Sequence, residues 1–294
     1  MPESLHDIQP EVKVAPIGDL ELLYLFYPAD GPAVVLLHAT GFNPWLWHPI
    51  SRELVSAGFR VYAPYFCDHR PSEPHQGGLK WPVLAADLFD FCQKLALDRP
   101  LMAGHSMGGT VITLANAEHP GLAAALVLIE PIYLPDFVFG AIRKVDDHPL
   151  ASKSIKRRNF WQDHAEAEQY LLSRDMFKSW NREVLDLYLS HGMKPGPEGG
   201  LVLACSPERE ASQFMGSSHR NPWPLLGRVP SPVLILEGEK SENRLFIDLK
   251  KATGLFPRGS YREVPGAGHL IPQEEPAETA AILQEFFENA GAGE

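Results

Sequence analysis

A serine between two glycines has the surroundings in this 294-residue chain that most clearly favour nucleophilic chemistry. Residues 103–109 run Ala-Gly-His-Ser-Met-Gly-Gly, so Ser106 lies at the centre of a Gly-x-Ser-x-Gly pattern between an apolar run and a helical one. In a nucleophile elbow the chain turns sharply from strand to helix and exposes the serine Oγ. Gly104 and Gly108 lack the Cβ atoms that so tight a turn would crowd. The pattern predicts a serine nucleophile that a nearby base must activate.

A histidine near the end of the chain is the candidate base. Residues 264–269 run Val-Pro-Gly-Ala-Gly-His and follow the last predicted strand. The small residues allow this loop to bring His269 back across the carboxyl edge of a sheet. At that edge its imidazole would accept the proton of Ser106.

Donors for an oxyanion are expected from two backbone amides. Residues 33–42 run from an apolar strand into a loop of small residues that includes Thr40, and Met107 directly follows the candidate nucleophile at a helix N-terminus. We expect the amides of Thr40 and Met107 to hold the oxyanion, because such donors lie after the nucleophile and in the loop after an early strand. Removing one donor of this kind slows catalysis about 10² to 10³-fold.

Aromatic and imidazole side chains beside these motifs are candidates for a substrate pocket. Phe42 and Trp45 adjoin the predicted oxyanion loop and could either wall a pocket or pack the loop. His105, inside the elbow, is a pocket candidate that we expect to orient the loop rather than to catalyse.

Alternating apolar and amphipathic segments must position these residues. Strand following helix following strand predicts a parallel sheet. The predicted strands cover residues 12–17, 20–27, 33–37, 59–63, 100–103, 123–129, 232–236 and 261–264, and the predicted helices 49–57, 81–97, 107–118 and 276–289.

The alternation is interrupted over residues 135–222. This interval contains charged, aromatic and helix-forming segments, a Gly/Pro-rich break at residues 194–200, and no sequence typical of a buried parallel strand. We therefore predict a helical cap, or lid, at residues 135–222, inserted into a core formed by residues 1–134 and 223–294.

Three motifs together resemble those of the α/β-hydrolase fold superfamily, in particular its serine esterase and lipase-like members. The motifs are His-Ala-Thr-Gly-Phe at residues 38–42, Gly-His-Ser-Met-Gly-Gly at 104–109 and Gly-Ala-Gly-His at 266–269. The resemblance covers residues from about 20 to 134 and 223 to 290. It implies an α/β fold with a mostly parallel central sheet flanked by helices, and a triad in the order nucleophile, acid, histidine.

The triad acid is where this chain departs from the superfamily. Members most often place an aspartate shortly after the strand equivalent to residues 233–237, where this chain has Ser241. Some members, haloalkane dehalogenases among them, take the acid from the end of the preceding strand, and there this chain has Glu130. The resemblance thus implies Glu130 as the acid, with Glu242 and Glu239 as alternatives.

Composition excludes several other classes of protein. The formal net charge of −11 argues against nucleic-acid binding, which needs concentrated Lys and Arg. Residues 153–158 form one basic cluster, either a solvated helix face or a contact for an anionic substrate group. Cys67, Cys92 and Cys205 are widely spaced, so we expect reduced packing residues and no metal site. The sequence has no apolar run long enough to span a membrane, and its first residues lack the pattern of a signal peptide. We therefore expect a cytoplasmic protein.

These observations predict a serine hydrolase that cleaves a carboxylic ester, thioester or lactone through an acyl-enzyme. It would need no cofactor and would act on a small-molecule acyl substrate, as a monomer or a homodimer. An acyltransferase or a carbon–carbon bond hydrolase with the same triad remains an alternative. So does a non-catalytic ligand-binding member of the fold, which only the missing acid at Ser241 favours.

Overall fold

The computed structural model describes residue 5 and residues 8–66, 69–139 and 144–291. Cys67 lies outside these ranges. The strands are β1 Glu11–Ile17, β2 Leu20–Tyr27, β3 Ala33–Leu37, β4 Arg60–Pro64, β5 Leu101–His105, β6 Leu126–Ile129, β7 Met193–Pro195, β8 Leu201–Leu203, β9 Val233–Gly238 and β10 Gly259–Val264. The helices are α1 His48–Ser56, α2 Trp81–Lys94, α3 Met107–Glu118, α4 Ala151–Ser154, α5 His164–Leu172, α6 Asp175–Lys178, α7 Arg182–His191, α8 Pro207–Met215, α9 Leu249–Thr253, α10 Ile271–Glu274 and α11 Pro276–Gly291.

The main sheet has the strand order β1-β2-β4-β3-β5-β6-β9-β10. β2 pairs antiparallel with both β1 and β4, and the other neighbours pair parallel. Parallel neighbours need crossover connections, and α1, α2 and α3 supply them between β3 and β6. The predicted mostly parallel sheet is therefore confirmed, and the carboxyl ends of β3, β5, β6, β9 and β10 share one edge.

The central strands are apolar at nearly every position because helices cover both faces of the sheet. In β3, Val35 and Leu37 belong to the core that includes α2 and α3, whereas Val34 and Leu36 belong to the core that includes α1 and α11. The alternation of side chains along a strand divides the two pairs between the faces.

Predicted element boundaries differ from the observed ones in places with a local backbone cause. α3 covers the predicted residues 107–118, but α2 ends at Lys94 rather than at residue 97. Ala96 has φ +51°, a left-handed conformation that a right-handed helix cannot continue through. β5 extends two residues further than predicted, through His105, and so reaches the nucleophile.

The segment between β6 and β9 contains α4 to α8 and the two-stranded antiparallel sheet of β7 and β8. The Gly/Pro-rich stretch at residues 194–200, predicted as a break, instead supplies part of this hairpin and its turn. Its strands have three residues each, too short for a period of two to be visible in the sequence. In the described residues this segment adds no strand to the main sheet.

Cys92 and Cys205 are buried and free, as expected for packing residues. Over the residues that the structure describes, no helix is both long and apolar enough to cross a membrane.

The turn from β5 into α3 is closely packed at its glycines. A Cβ on Gly104 would lie 2.5 Å from the carbonyl carbon of Gly108, and a Cβ on Gly108 would lie 2.8 Å from the carbonyl carbon of Leu37. Ser106 between them has φ +55°, which is strained for a residue with a side chain. Glycine is thus required on both sides of the elbow by space rather than by φ.

We predict that Gly104→Ala lowers the free energy of unfolding by about 1–3 kcal/mol, the usual cost of overpacking a core. Gly227→Ala is the matched control, because Gly227 is exposed and an added Cβ would meet no atom closer than the Leu255 carbonyl oxygen at 3.6 Å. Urea unfolding of both variants measures the difference. Equal midpoints and slopes for the two variants would contradict the close packing of the elbow.

Candidate active site

The side chain of Ser106 lies at the carboxyl edge of the sheet, where the elbow presents it. Its amide donates to the Ile129 carbonyl at 2.9 Å, which ties the elbow to the end of β6. Its Oγ lies 3.2 Å from Nε2 of His269. The structure therefore brings together the two residues that the sequence predicts as nucleophile and base.

The loop that carries His269 is held by two hydrogen bonds, one to the carbonyl of His269 and one from the amide of the preceding residue. His105 is fully buried, and its Nε2 donates to the His269 carbonyl at 2.9 Å. Burial, together with the neighbouring His269, lowers the pKa of His105 well below its usual value, so the ring stays neutral. The preceding amide, of Gly268, donates to Glu274 at 2.6 Å. His105 thus orients the histidine loop.

Glu130 is fully buried at the end of β6 and faces the other ring nitrogen of His269. Its Oε2 lies 3.0 Å from His269 Nδ1 and accepts from the Ser241 hydroxyl at 2.8 Å. Its Oε1 accepts from the Gly238 amide at 2.8 Å. These donors compensate the desolvation of a buried carboxylate. Of the described acidic residues, Glu130 alone lies within hydrogen-bonding distance of His269.

Ser241 occupies the turn in which superfamily members usually carry the acid, and there it supports Glu130. Asn243 follows two residues later, with Nδ2 2.9 Å from His269 Nδ1 and 3.5 Å from Glu130 Oε2. An Nδ1 that carries a proton donates best to the carboxylate, because an ionised acceptor makes the stronger bond. Sequence reasoning treated Ser241 only as a missing acid and did not identify Asn243. The cluster of polar residues after β9 was the available signal.

The predicted oxyanion donors lie on two sides of Ser106. Met107 is the first residue of α3, so its amide has no intrahelical acceptor and lies at the positive end of the helix dipole. Within the described residues, the Thr40 amide donates to no protein acceptor. The next amide, of Gly41, donates to Gln213 Oε1 at 2.8 Å. Thr40 and Ser106 line the same cavity.

A cavity of about 640 Å³ lies above Ser106 and His269. Phe42 lines it, as the sequence analysis allowed. Trp45 does not, because its ring stacks on His191 of α7 at 3.8 Å between centroids, and His105 lies buried beneath the loop. The other apolar side chains of the lining come from the core and from the segment between β6 and β9: Ala39, Trp81, Ile132, Leu134, Leu150, Met176, Phe214, Phe246 and Leu270.

Charged residues of the lining are mostly acidic. Of its four acids, Asp175 and Glu210 are each paired with a cation outside the lining, which leaves Glu242 and Glu274 with a single lysine, Lys240. The lining therefore has an excess of negative charge.

The two arginines of the basic cluster at residues 153–158 are engaged within the protein. Arg157 pairs with Glu210 at 2.7 Å, and Arg158 pairs with Glu166. Neither guanidinium is therefore left unpaired for an anionic substrate group.

Comparison with known proteins identifies the family of the chain. The model of the alpha/beta hydrolase family matches residues 34–282, so the chain belongs to this family. The resemblance and the fold class predicted from the sequence are thereby confirmed.

Similar individual proteins differ in what they are named for. A 2-(acetamidomethylene)succinate hydrolase of Mesorhizobium japonicum is 24% identical over 259 residues, which cover 88% of this chain and 89% of the relative. An sn-1-specific diacylglycerol lipase of Xenopus laevis is 24% identical over 293 residues, covering 92% and 85%. The crystal structure of E-2-(acetamidomethylene)succinate hydrolase superposes with a TM-score of 0.78 at 22% identity, covering 95% of this chain and all of that one, which shows a shared fold.

His38, which precedes the predicted oxyanion loop, is buried with both ring nitrogens bonded. Nε2 accepts from the Phe66 amide at 2.9 Å, and Nδ1 donates to the Ala39 carbonyl at 2.8 Å. The bond that Nε2 accepts requires the neutral ring, because a protonated Nε2 has no lone pair to offer. Burial lowers the pKa of His38 to about 4.

We predict an acid-induced loss of stability that is traceable to His38. Because the folded-state pKa is depressed, stability is fully present above the unfolded-state pKa near 6.5 and is lost as the pH falls to about 4. The loss from this one residue should reach about 3 kcal/mol. Urea unfolding at a series of pH values in this range gives the free energy of unfolding as a function of pH. This free energy should fall less steeply with falling pH in His38→Asn than in the wild type, and an equal dependence on pH would contradict the assignment.

Glu130→Gln should slow covalent labelling of Ser106 by a fluorophosphonate about 10²-fold or more, because loss of the orienting carboxylate in such triads costs up to about 10⁴ in rate. Glu242→Gln should label within about threefold of the wild type, since it does not contact His269. Adding Ser241→Asp to Glu130→Gln should recover part of the rate, because it returns a carboxylate to the turn that usually carries one. If Glu242→Gln were labelled slowly and Glu130→Gln were labelled at the wild-type rate, the assignment of Glu130 as the acid would be overturned.

Proposed function

We propose that this protein is a serine hydrolase that cleaves a neutral carboxylic ester, thioester or lactone through Ser106, His269 and Glu130. The observation that carries the proposal is the continuous set of contacts from Ser106 Oγ to His269 Nε2, at 3.2 Å, and from His269 Nδ1 to Glu130 Oε2, at 3.0 Å. This set opens onto the cavity of about 640 Å³. The acyl group of the substrate would occupy its apolar part.

In the proposed mechanism, His269 Nε2 takes the proton of Ser106 as Oγ attacks the substrate carbonyl. Glu130 accepts a hydrogen bond from His269 Nδ1–H and so stabilises the imidazolium. The amides of Thr40 and Met107 donate to the oxyanion. The imidazolium then gives its proton to the leaving alcohol or thiol, and the acyl-enzyme forms. His269 next deprotonates a water that attacks the acyl carbon and releases the carboxylic acid.

We propose residues 135–222 as a cap over this site, inserted into the core of residues 1–134 and 223–294. Support comes from the cavity lining, in which Leu150, Met176 and Phe214 of this segment lie opposite core residues. The cap would bury the apolar part of a substrate and exclude water from the acyl-enzyme. A medium-sized acyl group suits a cavity within the usual range of small-molecule sites, about 300–1,000 Å³.

The charge of the lining favours a neutral substrate over an anionic one. The relative named for 2-(acetamidomethylene)succinate acts, by that name, on a succinate derivative. In this chain Glu242 and Glu274 outnumber the one lysine of the lining even when the ion-paired Asp175 and Glu210 are set aside, so a dicarboxylate would meet net repulsion. The relative named as a diacylglycerol lipase takes, by its name, a neutral ester, which fits this lining better.

We predict that p-nitrophenyl esters of neutral acyl chains from acetate to octanoate are hydrolysed, with kcat/KM rising as the chain fills the apolar cavity. The p-nitrophenyl monoester of succinic acid should be cleaved about tenfold or more slowly than the butyrate ester, because like charges across a site cost about 1.4 kcal/mol or more. Glu242→Gln, which removes a negative charge from the lining, should raise kcat/KM for the anionic ester alone.

Ser106→Ala is the control that separates catalysis from background hydrolysis. Absence of Ser106-dependent turnover for every ester in the series would refute the proposed ester hydrolysis. Faster cleavage of the anionic ester than of butyrate would refute the preference for neutral substrates while leaving the mechanism intact.

A further inference from the structure

Gln213 of α8 is fully buried and connects the predicted oxyanion loop to the core. Its Oε1 accepts from the Gly41 amide at 2.8 Å, and its Nε2 donates to the Phe66 carbonyl at 3.0 Å. One partner is a donor and the other an acceptor, so only one orientation of the side-chain amide satisfies both. In the reversed orientation, the amide nitrogen of Gln213 would face the Gly41 N–H, and its oxygen would face the Phe66 carbonyl oxygen. The network therefore fixes the orientation of Gln213.

α8 itself is anchored to the core by further hydrogen bonds. The Ser212 carbonyl accepts from the Leu79 amide at 2.9 Å, and the Gln213 carbonyl accepts from Trp81 Nε1 at 2.8 Å. The guanidinium of Arg209 donates to the Arg70 carbonyl. These bonds make α8 a fixed support for Gln213, although it belongs to the segment between β6 and β9.

The loop that Gln213 contacts has little freedom to take another conformation. Gly41 has φ +76°, and a Cβ there would lie 2.6 Å from Oε1 of Glu210, one turn before Gln213 on α8. On the other side, Phe42 packs edge-to-face against Trp180, at 5.4 Å between ring centroids. α8 thus provides both a hydrogen-bond acceptor and a steric limit for the residue directly after Thr40.

We propose that Gln213 is a positioning residue, which fixes Gly41 and so aims the Thr40 amide at the oxyanion formed on attack by Ser106. The proposal rests on the proposed function, because the Thr40 amide acts as an oxyanion donor only if Ser106 attacks a carbonyl. Gln213 itself does not contact the substrate: it does not line the cavity, whereas Thr40 does. A donor that must be preorganised loses its value when its loop can relax.

Gln213→Met, which keeps the length and removes both hydrogen bonds, should lower kcat for p-nitrophenyl butyrate about tenfold to a hundredfold with KM within threefold, since an oxyanion donor acts on the transition state. Gln169→Met is the matched control, because Gln169 is exposed on α5 in the same segment, and it should behave as wild type.

Gln213→Glu adds a second test, the pH dependence of kcat relative to the wild type. A purely structural role of Gln213 predicts no such dependence. Its carboxyl is isosteric with the amide and, when protonated, can donate to the Phe66 carbonyl while accepting from Gly41. Burial raises the pKa of such a carboxyl, so kcat relative to wild type should rise as the pH falls from about 8 to about 5.5. A ratio that does not change with pH would count against the proposal.

Hydrogen–deuterium exchange of peptides spanning residues 38–46 tests the anchor without any substrate. Gln213→Met should exchange faster there than the wild type, and Gln169→Met should not. Unchanged exchange overturns the anchor, and faster exchange with an unchanged kcat overturns its role in positioning. A wild type that hydrolyses no ester overturns the proposed function and the positioning role with it, while the exchange result still decides whether Gln213 holds the loop.

Discussion

The buried carboxylate of Glu130 is the constraint on which the arrangement of this sheet edge depends. A carboxylate with no exposed surface costs several kcal/mol unless donors surround it. Those donors come from the end of β9, from the turn after it and from the loop after β10, through Gly238, Ser241 and His269. Two segments distant in sequence from Glu130, residues 238–241 and the loop that carries His269, are thus held to the end of β6 by one side chain. The same contacts leave His269 Nε2 facing Ser106.

This constraint explains why the turn after β9 carries a hydroxyl rather than a second acid. Ser241 Oγ lies 2.8 Å from the Glu130 carboxylate. A carboxylate at that distance would repel the first and force one of them to bind a proton. A serine instead donates a hydrogen bond and adds no charge. The acid and the hydroxyl are therefore complementary, and a change at either position alone alters the environment of His269.

The residues that meet in the site were predictable where one local requirement dictates the sequence. The glycines around Ser106 follow from close packing, and Gly266 before His269 follows from its φ of +75°. The unbroken apolar strands follow from burial on two faces. Gln213 was not predictable, because it contacts Gly41 across 172 positions and its sequence neighbourhood is that of an ordinary amphipathic helix. The stacking of Trp45 on His191 is likewise set by the path of the segment between β6 and β9, which no local pattern specifies.

The segment between β6 and β9 also packs against the predicted oxyanion loop. Phe42 and Ala39 of the predicted oxyanion loop pack into the aromatic cluster that includes Trp180 of the segment, and Gln213 holds the same loop from the opposite side. The loop therefore has core strands behind it and the inserted segment on two sides. Because tightly packed groups respond together rather than singly, repacking the segment would shift the loop even where no substrate is touched. Under the proposed function, we therefore expect substrate preference and oxyanion geometry to be coupled in this chain.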